Sequence, residues 1–338
     1  MKTSIKHYLL ILIAGVICFS CETAIEFNGD TSADLMVLNS FLSPDSVISV
    51  HLSKSNFFLD DNETFTLIND AQVKLFVNDE LKETLTSKGQ GIYEAIYLPK
   101  TGERIKLTAS HSKYGQIEAQ TLVEKYIRIS SCDTSSVATE TTPLVNYYYD
   151  YERQKTIIDT VGTNYQNNLN FKVNIADSAG YKNYYRAKVY LAKFMKNGDY
   201  VVTTLYFDSN DLVFGTAKDE VVDENSNRYN VFNDDIFDGK NYGLSLSIPY
   251  NTYAYDEDYE IPDYEKPDYY KQEIIVDIES ISKSLYLYLK TREAADNYIE
   301  FFSEPVQIYT NVENGIGILG SKTSNQKRVT VPLSYEIN

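Results

Sequence analysis

Beyond residue 34 the chain is written in short apolar-polar runs separated by turn residues. Val47-Ile-Ser-Val50-His-Leu52 and Ala71-Gln-Val73-Lys-Leu75-Phe-Val77 carry apolar side chains at alternate positions, the period of a strand with one face packed. The same pattern predicts strands over 35–42, 47–55, 71–78, 81–87, 91–97, 104–110 and 116–123. The breaks between them are Ser43-Pro44-Asp45, Asp60-Asp61-Asn62, Asn78-Asp79, Lys88-Gly89, Pro99 to Gly102 and Lys113 to Gly115. So many short, evenly spaced strands predict an Ig-like β-sandwich over 34–127.

The pattern lapses between Ser130 and Asp150, which is rich in Ser, Thr and Tyr, contains Pro143 and shows no period. It reads as a linker or long loop. Strand-length runs then resume at 168–175, 184–193, 200–208, 242–248, 272–278, 305–311 and 327–333. One helix near 280–298 interrupts them: Ser280 can serve as N-cap, and Ile281, Leu285, Tyr288 and Leu289 recur at helical spacing. The expected fold class is therefore all-β or β-rich, with a second β domain carrying one helix over 128–338.

The first 21 residues follow a different rule. Lys2 and Lys6 precede an apolar run from Tyr8 to Phe19, which ends on Ser20-Cys21. This is the layout of a secretory signal, and the run is shorter than the roughly 20 residues of a membrane span. Cys21, placed directly after the apolar run and before a polar stretch, points to a lipoprotein signal over 1–20. Cys21 would then be the acylated first residue of the mature chain, and 21–33 a short polar tether. Cys18 stands where such signals usually carry Leu, and an ordinary cleaved signal at Cys18-Phe-Ser20 is the alternative.

Charge and cysteine usage sharpen this. The full chain carries −17, and residues 1–20 hold two lysines and no acid, so the remainder carries −19. Phosphate binding needs clustered Lys and Arg, so nucleic acid is excluded as a general partner. Adhesion to anionic lipid is disfavoured as well, leaving membrane attachment to the lipid on Cys21. With Cys18 removed and Cys21 acylated, Cys132 stands alone; without acylation a Cys21–Cys132 bridge becomes conceivable. The 30 Tyr, 15 Phe and no Trp suit sheets with one wet face.

Several segments resemble a known family. They are the lipoprotein-type signal, Leu38-Asn-Ser-Phe-Leu-Ser-Pro-Asp45, Ile68-Asn-Asp-Ala-Gln-Val73, and Phe301-Phe-Ser-Glu-Pro-Val306 followed by Asn311-Val-Glu-Asn-Gly315-Ile-Gly-Ile-Leu-Gly320. Together they resemble the Bacteroidota outer-membrane lipoprotein family known as domain of unknown function 4249, over essentially the whole mature chain. The resemblance implies an outer-membrane location and association with TonB-dependent receptors. It implies no chemistry and no catalytic residues.

Candidate chemistry is sparse. Tyr250 to Tyr270 packs seven Tyr, seven acids and two Pro into one stretch. It reads either as a solvated excursion whose rings cover the sheet, or as a loop presenting Tyr253, Tyr255, Tyr259, Tyr264 and Tyr269 to a ligand or partner. Asp223-Glu-Asn225-Ser-Asn227 with Asp234 has oxygen spacing like a Ca²⁺ loop, but Arg228 occupies the position that needs Gly, so a polar hairpin loop is the plainer reading. Asp256-Glu-Asp258 offers adjacent acids of the kind a −19 chain contains by composition. His51 and His111 lie near no hydrolase or zinc motif, and Gly315-Ile-Gly317 reads as a strand with a bulge or close backbone approach. No catalytic residue, metal ligand or cofactor is expected. The expected function is a non-catalytic lipoprotein serving a TonB-dependent nutrient receptor, binding the receptor or its ligand. The alternatives are a surface hydrolase using paired carboxylates and a stand-alone glycan- or peptide-binding adhesin.

Overall fold

A computed structural model describes residues 34–56, 66–208, 211–215, 227–257, 259, 261–262, 266–296, 306–331 and 335–337. The alternating runs of the first part form β1 (Met36–Leu42), β2 (Ser49–Lys54), β3 (Gln72–Val77), β4 (Glu80–Thr84), β5 (Thr86–Gly89), β6 (Ile92–Glu94), β7 (Arg104–His111) and β8 (Gly115–Leu122). Hydrogen bonding orders them β1-β2-β6-β5 in one sheet and β8-β7-β3-β4 in the other. That is the A-B-E-D and G-F-C-C′ arrangement of an immunoglobulin sandwich. The alternate residues Leu38, Val50, Leu52, Val73, Leu75, Ile105, Leu107 and Ile117 fill the space between the sheets.

Two local details hold this sandwich. Asn78 and Asp79 both adopt positive φ, 51° and 70°, which is what a two-residue hairpin turn of matching twist requires. Tyr93 stands in the core where no Trp or disulfide is present; its hydroxyl donates to Ile68 O and accepts from Ala71 N, each at 3.0 Å. The expected single strand over 81–87 divides instead at Leu85. This residue turns into the core, and the chain passes from β4 in one sheet to β5 in the other.

The second region comprises β9 (Arg128–Asp150), β10 (Lys155–Ala176), β11 (Tyr184–Met195), β12 (Tyr200–Leu205), α1 (Leu212–Gly215), β13 (Val231–Asn233), β14 (Asn241–Tyr255), β15 (Tyr269–Ile281), α2 (Lys283–Asp296), β16 (Val312–Glu313), β17 (Ile316–Val331) and β18 (Tyr335–Ile337). One sheet is β18-β14-β10-β9, and it packs against β12-β11-β15-β17. Phe171, Val173, Leu244 and Leu246 from the first meet Val189, Ile274, Val276 and Ile278 from the second.

The stretch expected as a linker, Ser130 to Asp150, is a strand paired with β10 along nearly its whole length. Most of its side chains are exposed on both faces, so no packed face imposed an apolar period. Thr, Tyr and Val still supply β propensity. Residues 306–311 form no strand, and the strand read at 327–333 begins much earlier, at Ile316. Asn311 serves as a clamp: its amide bonds Gln120 O and Leu319 O, and its Oδ1 accepts from Leu319 N.

β17 joins the two regions. It pairs antiparallel with β15 along one edge and parallel with β1 along the other, placing Gly317 opposite Leu38. Val123 closes the first core and Ile127 opens the second, while β1–β17 carries one sheet across that point. The glycines explain the contact: a Cβ on Gly317 would stand 2.0 Å from Leu38 O, and one on Gly315 2.6 Å from Met36 O. The N-cap of α2 is Ser282 rather than Ser280. Ser282 Oγ accepts from Leu285 N at 3.3 Å, while Ser280 remains in β15. Leu285, Tyr286 and Leu289 then pack with Ile281 and Val231.

Candidate functional site

The residues singled out by sequence are scattered. Cys21 and Tyr264 lie outside the described residues. Tyr253 and Tyr255 belong to β14, facing Asn164 and Gly162 of β10, so the tyrosine-rich stretch begins as strand. Tyr259 lies beyond the end of β14, and its ring stacks on Tyr255 with centroids 5.5 Å apart and planes within 8°. Tyr269 opens β15, is buried, and has Lys193 Nζ 4.6 Å above its ring. The four described tyrosines divide between a strand with its stacked neighbour and an interior position.

The other motifs have structural uses. Of the Ca²⁺-like loop, only Asn227 and Asp234 are described. Asn227 bonds Phe214 O and both backbone groups of Val231, and Asp234 accepts from the backbone and side-chain amides of Asn183 at 2.7 and 3.0 Å. His111 sits 3.0 Å from Asp70 and stacks on Tyr114. Cys132 is half-buried against the second core, and burial pushes its thiol up.

A polar cleft forms where the chain leaves the first core for the second. Glu124, between β8 and β9, lines two adjoining hollows of about 290 and 810 Å³ together with Tyr181 and Tyr184. Burial raises the Glu124 carboxyl to about 7. Asp177 forms another part of the wall, its Oδ1 accepting from Tyr185 Oη at 2.5 Å and Asn183 Nδ2 at 3.1 Å, its Oδ2 from Gly239 N at 2.8 Å. Burial raises Asp234 as well, against the lowering effect of the Asn183 bonds. The Tyr181 hydroxyl is raised by burial first and then by Glu124, Asp177 and Asp234, so these acids act on one spot. Oxygens of Asp177, Asp234 and Asp238 come within 4.8 Å of one another. Those of Asp177 and Asp234 already accept hydrogen bonds that fasten the 177–185 segment to 234–239. Sequence reading missed Glu124 because a lone acid among 48 carries no motif.

A third feature is a two-stranded ribbon. β14 accompanies β10 only as far as Gly162. Beyond it, residues 145–150 and 155–160 pair, among the described residues, only with each other, closed by the turn at 151–154. Tyr147, Tyr148, Tyr149, Tyr151 and Ile158 are all exposed there, Tyr151 by 84%. A two-stranded ribbon in water is marginally stable by itself, and clustered exposed apolar side chains mark interaction surfaces.

A family model described as a domain of unknown function (DUF4249) matches residues 22–328. No curated protein and no solved structure matches the chain.

Proposed function

We propose, since the chain belongs to the DUF4249 family, that it is a non-catalytic outer-membrane lipoprotein held by lipid on Cys21. In this reading it serves as an accessory to a TonB-dependent nutrient receptor, binding the receptor or its ligand. The observation that carries the reading is the ribbon at 145–160. Its tyrosines combine large contact area with few rotatable bonds, the composition of protein-binding surfaces. The signal and acylatable Cys21 supply the anchor. The test is a mild-detergent pull-down of tagged full-length protein from native outer membranes, with cross-linking and mass spectrometry. A stoichiometric β-barrel cross-linked near Lys155, and lost in a Tyr148→Ser/Tyr151→Ser variant, is expected. A clean, partner-free lipoprotein overturns the reading.

One observation favours a second reading, the carboxylate-pair hydrolase. Glu124, raised to about 7, stays protonated where ordinary carboxyls are ionised, and it shares a cleft with Asp177. A carboxyl raised in this way can serve as general acid, with a second acid in the same cleft as its partner. Turnover of a polysaccharide or ester panel that vanishes in Glu124→Gln supports it, and a panel with no turnover removes it.

A further inference from the structure

The outward face of β12-β11-β15-β17 is not the wet polar surface that alternation alone would give. Its floor is β15, where Asp277 and Glu279 are 4% and 1% exposed. Lys188 of β11 and Lys322 of β17 both reach Glu279 Oε1, at 2.9 and 3.0 Å. Asp277 accepts from Ser324 Oγ at 2.6 Å and from Gln326 Nε2 at 3.2 Å. Arg328 donates to Tyr200 Oη at 2.9 Å. All of these groups except Lys188 line a trough of about 400 Å³, with Ser43 and Asp45 of the β1–β2 turn at its rim. That volume lies within the usual range of small-ligand sites.

From this arrangement we infer that the trough is a binding site for a neutral, vicinally hydroxylated ring, the pyranose unit of a saccharide. Three features carry the assignment. The charges are largely neutralised where they stand, Glu279 by Lys188 beside the trough and by Lys322 in its lining, Arg328 by Glu273, so the site offers its ligand no concentrated charge. The polar groups are carboxylate, amide and guanidinium, planar groups with paired donors or acceptors that match adjacent hydroxyls. They stand beside the half-exposed ring of Tyr200 and the exposed Val202, an apolar wall for the C–H face of a sugar. Glu279 Oε2 is left without a partner among the described residues. A buried acceptor left unsatisfied is unfavourable. Lys322, its side chain 41% exposed, is the part of the cover that can swing into water and admit a ligand hydroxyl.

This names a ligand for the accessory proposed above and rests on that reading for its biological role alone. The test uses full-length protein in mild detergent, titrated calorimetrically with short neutral oligosaccharides of glucose, mannose, galactose and xylose. Saturable binding of at least one series is expected. Tyr200→Ala and Gln326→Ala each weaken it about tenfold, the size expected for one lost wall or hydrogen-bonding group. Both positions are accessible, so circular dichroism should show the fold retained, and Tyr200→Phe, which keeps the ring, should bind more tightly than Tyr200→Ala. The inference is overturned if no series binds, if only charged ligands bind, or if both trough variants bind like the parent. The ribbon variant Tyr148→Ser/Tyr151→Ser should bind sugar normally. Absence of sugar binding by the parent protein with receptor capture intact refutes the trough alone, and sugar binding by a parent protein that captures no receptor refutes the accessory reading alone.

Discussion

Replacing Gly317 by Ala probes the joint between the two regions. Gly317 has φ +118°, and a Cβ built there stands 2.0 Å from Leu38 O and 2.8 Å from Leu38 C. Positive φ alone costs about 1–2 kcal/mol for a residue with a side chain. The clash cannot be relieved by a rotamer, because the neighbour is backbone of β1 in register with Gly317. β1 must shift, which weakens one or two ladder hydrogen bonds at about 1 kcal/mol each and loosens Leu38, fully buried in the first core. The expected total is about 3–5 kcal/mol. Gly198, in the turn between β11 and β12, is the control: φ is +93° and no atom lies within 4 Å of its Cβ position, so Gly198→Ala should lose only the strain, about 1–2 kcal/mol. Urea unfolding of the protein, followed by circular dichroism, gives both values. A Gly317→Ala variant within about 0.5 kcal/mol of Gly198→Ala refutes the close-approach argument.

Other outcomes follow from the same geometry. The folded-state pKa of Glu124 is raised from 4.5 to about 7, so its contribution is fully present below about pH 4.5 and is lost as pH rises through about 7. Stability should fall by up to about 2 kcal/mol across that window, allowing for partial solvent screening, and Glu124→Gln should flatten that part of the pH–stability curve. Burial alone would lift the Glu279 carboxyl, but Lys188 and Lys322 more than reverse this and hold it below the ordinary value. Its contribution is therefore present above about pH 4.5 and lost on acidification. Glu279→Ala, which leaves Lys188 half-sheltered and uncompensated, should cost about 3 kcal/mol in a denaturation experiment at neutral pH. Tyr93→Phe strands Ile68 O and Ala71 N beside the core and should cost about 1–3 kcal/mol by the same measurement. Replacing Tyr147, Tyr148 and Tyr151 by Ser, all exposed on the ribbon, should change stability by no more than about 0.5 kcal/mol; a larger loss would mean that the ribbon is packed against the body.

Where a strand packs one face against a core, its alternation was legible directly. Val47 to Leu52 and Ala71 to Val77 fell in β2 and β3 within two residues of their expected ends. Gly315-Ile-Gly317 likewise declared a close backbone approach, since a missing side chain is a local fact. The long β9 was illegible because its exposed faces erase the period; only the hydrogen bonds of β10 make it a strand. Ser282 displaced Ser280 as N-cap because pairing with β11 and β17 keeps Ser280 in β15.

The sequence by itself determined the β class, most of the sandwich strands and the balance of charge, all carried by neighbours along the chain. The tertiary structure alone decided the parallel β1–β17 joint, the cleft that changes Glu124, and the trough over Asp277 and Glu279. Each of these depends on residues up to hundreds of positions apart. Burial and partner distance, which set the energy of a charge or a hydrogen bond, are properties of the folded chain and have no local trace in the sequence.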